Sequence, residues 1–173
     1  MPVDLNTPRT APKPRLVLSL AVALLVASLA SSNDALAQGP EIPVVERAQR
    51  ADLIVVGEVE AVQSNWRVNE YGDRLIVSAV RLGSVETLKG QPPSTVTVEV
   101  EGGSIDGVTL KVSDLPAFTP GERAVFFLSR APGRRLVPNL RGQGVMKLDQ
   151  NDRVEGTGLS LAEIRQSVAA AGR

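Results

Sequence analysis

The stretch that most restricts the fold of this chain is Thr95 to Glu101, TVTVEVE. Val96, Val98 and Val100 fall on one side of an extended backbone, and Thr95, Thr97, Glu99 and Glu101 on the other. Strict alternation with β-branched residues marks a strand that buries one face; wound as a helix, the same residues would scatter valine and glutamate around the whole surface. Weaker versions of the pattern recur at a spacing of about ten residues. Leu53 to Val62 (LIVVGEVEAV) starts as a continuous apolar run and alternates after Gly57, which predicts a long strand, buried at its start and bent at the glycine. Leu75 to Leu82 returns after the turn residues 69–73 (NEYGD), and Val85 to Gly90 reads as the short turn that closes this hairpin before Pro92 and Pro93.

Beyond the alternating strand, Gly102 to Gly107 reads as a flexible loop, because no helix follows that would aim its amides at an anion. Val108, Leu110 and Val112 suggest one face of a shorter strand. An ordered loop over 113–122 offers Leu115 and Phe118 as plugs. Arg123 to Leu128 (RAVFFL) reads as a central strand, and Leu136–Val137 and Val145–Leu148 as two more, the last beside a polar turn at Asp149 to Asp152. Ser160-Leu161-Ala162-Glu163 is a capping box opening a helix, with Leu161, Ile164 and Val168 on one face and Gly172 at its stop. Six or seven short strands and one terminal helix predict a mainly β domain. The expected form is a small closed or partly open antiparallel barrel of OB type with a C-terminal α-helix; a sandwich is the alternative.

The first residues read as an address. Arg9, Lys13 and Arg15 precede Leu16 to Ala30, which carries no charge, and small residues then lead to Ala35-Leu36-Ala37. A basic start, a short apolar run and an A-x-A site describe a secretory signal peptide, 1–37, cut before Gln38, with Ala30 as a second cutting point. The apolar run is shorter than the roughly 20 residues of a membrane span, and no Arg-Arg pair suggests the twin-arginine route. The expected organisation is therefore the leader, a lead-in segment over 38–52 with a short helix at Val44 to Ala51, a β-domain over 53–157 and a helix over 158–173. The expected location is the periplasm or the exterior.

The 173-residue chain has 19 basic and 19 acidic side chains. Removing three basic and two acidic residues with the leader leaves 16 against 17, a net charge of −1, which makes no electrostatic case for nucleic acid. There is no cysteine, so neither a disulfide nor a lipid-bearing N-terminal cysteine can hold the domain, and packing alone must do so. There is no histidine either, which removes Ser-His-Asp and Cys-His chemistry and the usual zinc sites. No cofactor and no metal is expected, and the chain is expected to be monomeric and free of the membrane once cut.

A resemblance arises at particular residues. Gly57-x-Val59, Leu88-Lys89-Gly90, Val96-x-Val98-x-Val100 and Gly121-Glu122 before Ala124 to Leu128 follow the order of the netrin-like domain. That group includes the tissue inhibitors of metalloproteinases and is built on an OB-type five-stranded barrel. The resemblance covers about Ala51 to Leu128 in motifs of two or three residues. It implies a non-catalytic, inhibitor-like or protein-binding module. The family's zinc-binding N-terminal cysteine and its disulfides are missing here, so no functional residue carries over. The layout is also similar to that of exported bacterial proteins with "ADLIVVGEV", "LKG", "GG", "PGE" and "FL" in this order.

The residues offer several candidate sites. Trp66 and Tyr71 flank the tip of the first hairpin and suit a protein partner or a sugar; the competing reading makes Trp66 a plug over the barrel end. Arg134, Arg135 and Arg141 could receive an anion or an acidic partner, or simply balance acids on neighbouring strands. Asp149, Asn151, Asp152 and Glu155 offer oxygen ligands, but Val154 stands where a calcium loop of the D-x-D-x-D-G type needs glycine. Ser104 with Lys111, or Ser78 with Lys89, are conceivable Ser-Lys dyads, and Glu58 with Glu60 a carboxylate pair. A non-catalytic protein-binding module is the reading preferred, ahead of a carbohydrate or cell-surface binder and of a hydrolase.

Overall fold

A run that is apolar at every residue has no side to give to water, so its strand needs cover on both faces. The computed structural model, which describes residues 41–69 and 71–172, builds this cover for the two such runs, Leu53–Val56 and Ala124–Leu128. The expected leader over 1–37, the first lead-in residues and Glu70 lie outside the described residues. The elements are α1 (Val44–Arg50), β1 (Leu53–Val68), β2 (Arg74–Lys89), β3 (Val96–Glu101), β4 (Gly103–Ile105), β5 (Val108–Leu110), β6 (Arg123–Ala131), β7 (Arg135–Pro138), β8 (Val145–Leu148) and α2 (Leu161–Ala171), with single 3₁₀ turns at Pro132–Arg134 and Arg141–Gly144. The chain is mainly β with a C-terminal helix.

Pairing runs β1–β2–β3–β7–β6 and then from β6 back to β1, so the strands form a ring, with β8 continuing the β7 side of β6. Every pair in the ring is antiparallel except β3–β7, where Val98 meets Leu136 in parallel. This corrects the expectation of a wholly antiparallel arrangement, and the reason is parity. Five strands cannot alternate direction all the way round a ring, so one neighbouring pair must run the same way.

The two cores follow from alternation along β6. Ala124, Phe126 and Leu128 point into the ring, where Val55, Val80, Val98 and Val100 meet them. Val125 and Phe127 point outward and are covered with Ile54, Val56 and Met146 by Ala48 of α1 and by Leu161, Ile164 and Val168 of α2. Each fully buried side chain of this size stabilises the fold by about 1.5–3 kcal/mol, so both faces of β6 are anchored. The plugs fit as expected: Leu115 and Phe118 pack on the inner core, with the rings of Phe118 and Phe126 5.7 Å apart.

The first hairpin is longer than its pattern suggests. Val85 to Lys89 is not a closing turn but the continuation of β2, and β1 runs six residues past Val62 to Val68. Register shifts between Ile54 and Val55, Val56 and Glu58, and Val59 and Ala61 break the alternation while the pairing goes on. Gly57 sits at one of them, and a Cβ there would lie 3.2 Å from Leu82. At the far end of β2 the Lys-Gly pair has a definite task. Lys89 Nζ donates to the carbonyls of Ala48 and Ala51, each at 2.7 Å, satisfying the free end of α1. Gly90 turns at φ +81 directly beneath the Asp52 carbonyl.

A second correction concerns residues 102–107. Gly103 to Ile105 is a strand, β4, and it pairs with β5 as a separate two-stranded sheet. Gly102 at φ +103 and Gly103 at φ +135 swing the chain out of β3, and the Cβ of any other residue at 103 would strike the hydroxyls of Ser64 and Ser78. At the opposite terminus the capping box forms in both directions: Glu163 N donates to Ser160 Oγ and Ser160 N to Glu163 Oε2 at 2.8 Å. Arg165 then ties α2 to β2 through two bonds to Glu86, at 2.9 and 2.7 Å.

Candidate functional site

Past Val80 the inner face of the β1–β2 hairpin turns from valine to serine. Ser64 and Ser78 sit 3.1 Å apart by their hydroxyls, and Ser78 donates to the Gly102 carbonyl at 2.7 Å. The next pair outward is Trp66 with Ile76. Trp66 is half-buried; its Nε1 donates to Asp106 Oδ2 at 3.2 Å, and the Arg74 guanidinium lies 4.5 Å from its ring centroid. The bond to Asp106 ties the β1–β2 hairpin to the β4–β5 turn. Tyr71 stands apart from it, 82% exposed, on a turn held by Asn69, whose Oδ1 accepts from the amides of Tyr71 and Asp73. Trp66 thus works as a strut beyond the core, and Tyr71 as a free ring at the tip.

Val108 belongs with them. Its spacing to Leu110 and Val112 predicts a core-facing position, yet it is 48% exposed, because among the described residues β5 pairs with β4 alone, outside the ring. Val68, at the end of β1, is 62% exposed. Of the four exposed large apolar residues among those described, three (Val68, Tyr71 and Val108) lie on these two linked hairpins, and Val45 is the fourth.

The three candidate arginines do not form one anion receptor. Arg135 donates to Glu99 Oε1 at 2.6 Å, and Arg67 bonds to the same oxygen from β1. Arg141 grips Asp114 through two bonds and lies 3.5 Å from Glu101. Two of the three therefore balance acids on the outward face of β3 and the loop after β5. Arg134 is exposed, in the left-handed region at φ +62.

The chemical candidates are held apart or already engaged. Ser78 and Lys89 are eleven positions apart on one strand, about 36 Å at 3.3 Å per residue, and Lys89 caps α1. Ser104 Oγ meets Thr109 Oγ1 at 2.7 Å. Glu60 binds Arg81 at 3.0 Å. In the acidic turn, Asp149 Oδ1 accepts from the amides of Asn151 and Arg153, while Asp152 pairs with Arg123 at 2.5 Å. Among the described residues no three acidic side chains converge as metal ligands.

One buried charge escaped notice in the sequence. Arg47 on α1 is 3% exposed and donates to the carbonyls of Ile42 at 2.6 Å and Gln143 at 2.9 Å, with Glu41 beside it at 3.2 Å. Burial lowers its pKa, partly offset by Glu41. It pins the lead-in to the 3₁₀ turn between β7 and β8. The alternation of α1 gave no sign that its apolar face included an arginine.

The carboxylates set the response to pH. Hydrogen bonds from Arg165 lower Glu86, those from Arg141 lower Asp114, and Ser160 lowers Glu163. Burial pushes Glu122 up, but Lys147 and the Thr119 amide together outweigh it and leave the group lowered. A depressed folded pKa contributes stability that is complete above the unfolded value, about 4.3–4.5 for glutamate, and is lost as pH falls through the folded value. With no histidine, melting temperature should stay level from pH 8 to 5 and fall below about pH 4.5. Melts in that series check it, and a drop already between pH 8 and 6 would contradict it.

No family model matches this chain, and no curated protein does.

Proposed function

We propose that the chain is an exported, non-catalytic protein-binding module of netrin-like, OB-type build, docking through the linked tips of its two hairpins. One observation carries the docking surface: among the described residues, three of the four exposed large apolar ones gather on hairpins joined by the Trp66–Asp106 bond. Exposed apolar side chains on a braced support are what a protein interface uses as anchors, since the brace limits the entropy lost on binding. A sugar reading is less well served, because Arg74 already lies over the Trp66 ring and leaves Tyr71 as the free aromatic.

The build is supported by the ring order with its single parallel pair, the topology expected of a five-stranded closed sheet of OB type, whose first hairpin loop is a common binding element. The short motifs shared with netrin-like domains also have tasks in such a fold. Lys89 and Gly90 receive the end of α1, and around Gly121-Glu122 the main chain exchanges two 2.8 Å bonds with Val59. Export rests on the leader pattern at 1–37.

Two measurements test this reading. Intact mass of protein recovered from the periplasm or the medium should begin at Gln38; a product that keeps residue 1 and stays in the membrane would overturn export. A photo-crosslinking residue at position 71 should yield adducts with one protein, and the yield should fall at least about fivefold with Val68→Ser and Val108→Ser together. A probe at exposed Thr97, on the outward face of β3, should not report that adduct. Equal adducts from both positions would sink the assignment of the tip.

A further inference from the structure

The β2 edge that faces β3 is only half used. β3 pairs with Val77 to Leu82 and no further, whereas β2 continues to Lys89 with β1 on its other side. From Gly83 to Leu88 that edge carries no strand among the described residues. The chain that leaves Gly90 does not lie back against it. Pro92 lacks an N–H and cannot donate to a ladder, and the loop stands off, rejoining the sheet at Val96. Between loop and edge lies an open groove of about 610 Å³, lined by Gly83, Ser84 and Thr87 on one side and Pro92, Pro93 and Ser94 on the other. That volume lies within the usual range for a binding cleft, roughly 300–1,000 Å³.

We infer that this groove takes a short extended peptide segment of a partner protein, added to β2 as a strand. An exposed strand edge offers main-chain donors and acceptors in a row, and the ligand that matches such a row is another extended backbone. The shape decides against a second copy of this chain. Between the pairs Glu58–Gly83 and Val56–Glu86, two residues of β2 stand opposite Gly57 alone, and Ser84 there is left-handed at φ +48. Two such bulged edges cannot lie flat together, whereas a flexible segment can follow the bend. The open stretch is about 20 Å long at 3.3 Å per residue, so pairing is confined to a few residues. The lining also defines the segment's chemistry. It presents hydroxyls, glycine and proline rings, and its charged pair, Glu60 with Arg81 at 3.0 Å, neutralises itself. An uncharged segment rich in small and β-branched residues fits it.

This surface is separate from the hairpin tips and stands or falls independently of them. The test uses the full chain as bait for a phage-displayed library of random nonapeptides. Enriched peptides should be uncharged. Synthetic copies should lose affinity at least about tenfold against Ser94→Trp, which fills the groove from the loop side, and keep it against Tyr71→Ala. Hydrogen exchange on the unmodified protein supplies a readout that does not depend on the variant's folding: the peptide should slow exchange at residues 83–88 and leave 71–73 unchanged. The proposal is overturned if no peptide is enriched over the library without bait. It is overturned equally if the peptides bind Ser94→Trp as well as the parent, if protection appears at the tip instead, or if the chain dimerises through this edge and Ser94→Trp dissolves the dimer. A peptide that protects 83–88 while Val68→Ser with Val108→Ser abolishes crosslinking from position 71 would leave the two surfaces standing separately.

Discussion

Val98→Asp should cost roughly 3–5 kcal/mol, the loss typical of an uncompensated buried charge, out of a total that for most domains is about 5–15 kcal/mol. Val98 is fully buried in the inner core with Phe126, and it is the residue at which β3 and β7 meet. Among the described residues the inner core around it is apolar, so a carboxylate there either takes up a proton or loosens the closure itself. Glu99, one position on, faces outward. By exposure alone its replacement should matter by no more than about half a kcal/mol. The bonds from Arg67 and Arg135 raise that figure: Glu99→Lys sets an ammonium between two guanidiniums and should cost about 1–2 kcal/mol, less in high salt. Denaturant melts of both variants at low and high salt check the pair. Val98→Asp should remain insensitive to salt and much the worse; equal midpoints would mean the face assignment is wrong.

The second large effect is expected at Gly90. Its φ of +81 already disfavours a side chain, and a Cβ there would lie 2.5 Å from the Asp52 carbonyl oxygen, part of the backbone that leads into β1. Gly90→Ala should therefore cost about 2–4 kcal/mol, combining left-handed strain of about 1–2 kcal/mol with the displacement of that backbone. Gly121 and Gly133, at φ +90 and +75, have nothing within 4 Å of such a Cβ. Alanine at either should show the strain alone. Thermal melts of the three variants separate the two contributions, and similar losses at all three would remove the close approach from the explanation. Lys89→Met should cost about 1–3 kcal/mol, and less than additively with Gly90→Ala, since both act on the junction of α1 with β1.

The sequence revealed what depends on neighbours along the chain. The burial of Val96, Val98 and Val100, the bend at Gly57 and the capping box at Ser160 are all local in origin, and all appear where the pattern puts them. What it could not reveal depends on distant partners. Nothing in RAVFFL says that Phe126 goes into the ring and Phe127 toward the helices, because both faces are apolar. The length of β2 was hidden by the break in its pattern at Gly83-Ser84, a bulge within a continuing strand, after which Val85 to Gly90 read as a turn. β4 was missed because three residues beginning with glycine carry little strand signal. The site divides in the same way. Tyr71 was legible as an exposed ring in a turn, and Glu99 and Glu101, which face Arg135 and Arg141, follow from the outward side of TVTVEVE, whereas Asp114, which Arg141 grips, does not. Val108 was misread, because exposure at a strand position depends on what packs above it. The open edge of β2 is a missing neighbour, and a missing neighbour has no residues of its own to read.

The pairing of β6 with β1 sets an order of events in folding. Leu53 meets Leu128 across 75 positions, while β1 and β2 meet across a local turn. Contacts between distant segments form slowly, because a long loop must first be brought together. Until β8 and α2 have been made, the Val125 and Phe127 face of this uncharged, β-prone segment, Ala124 to Leu128, lacks Met146, Leu161, Ile164 and Val168, and such a segment seeds aggregation when left bare. A shortened chain ending after Ala131 should consequently collect as insoluble material rather than as a smaller version of the fold. The last forty-odd residues are what make the earlier ones safe to synthesise.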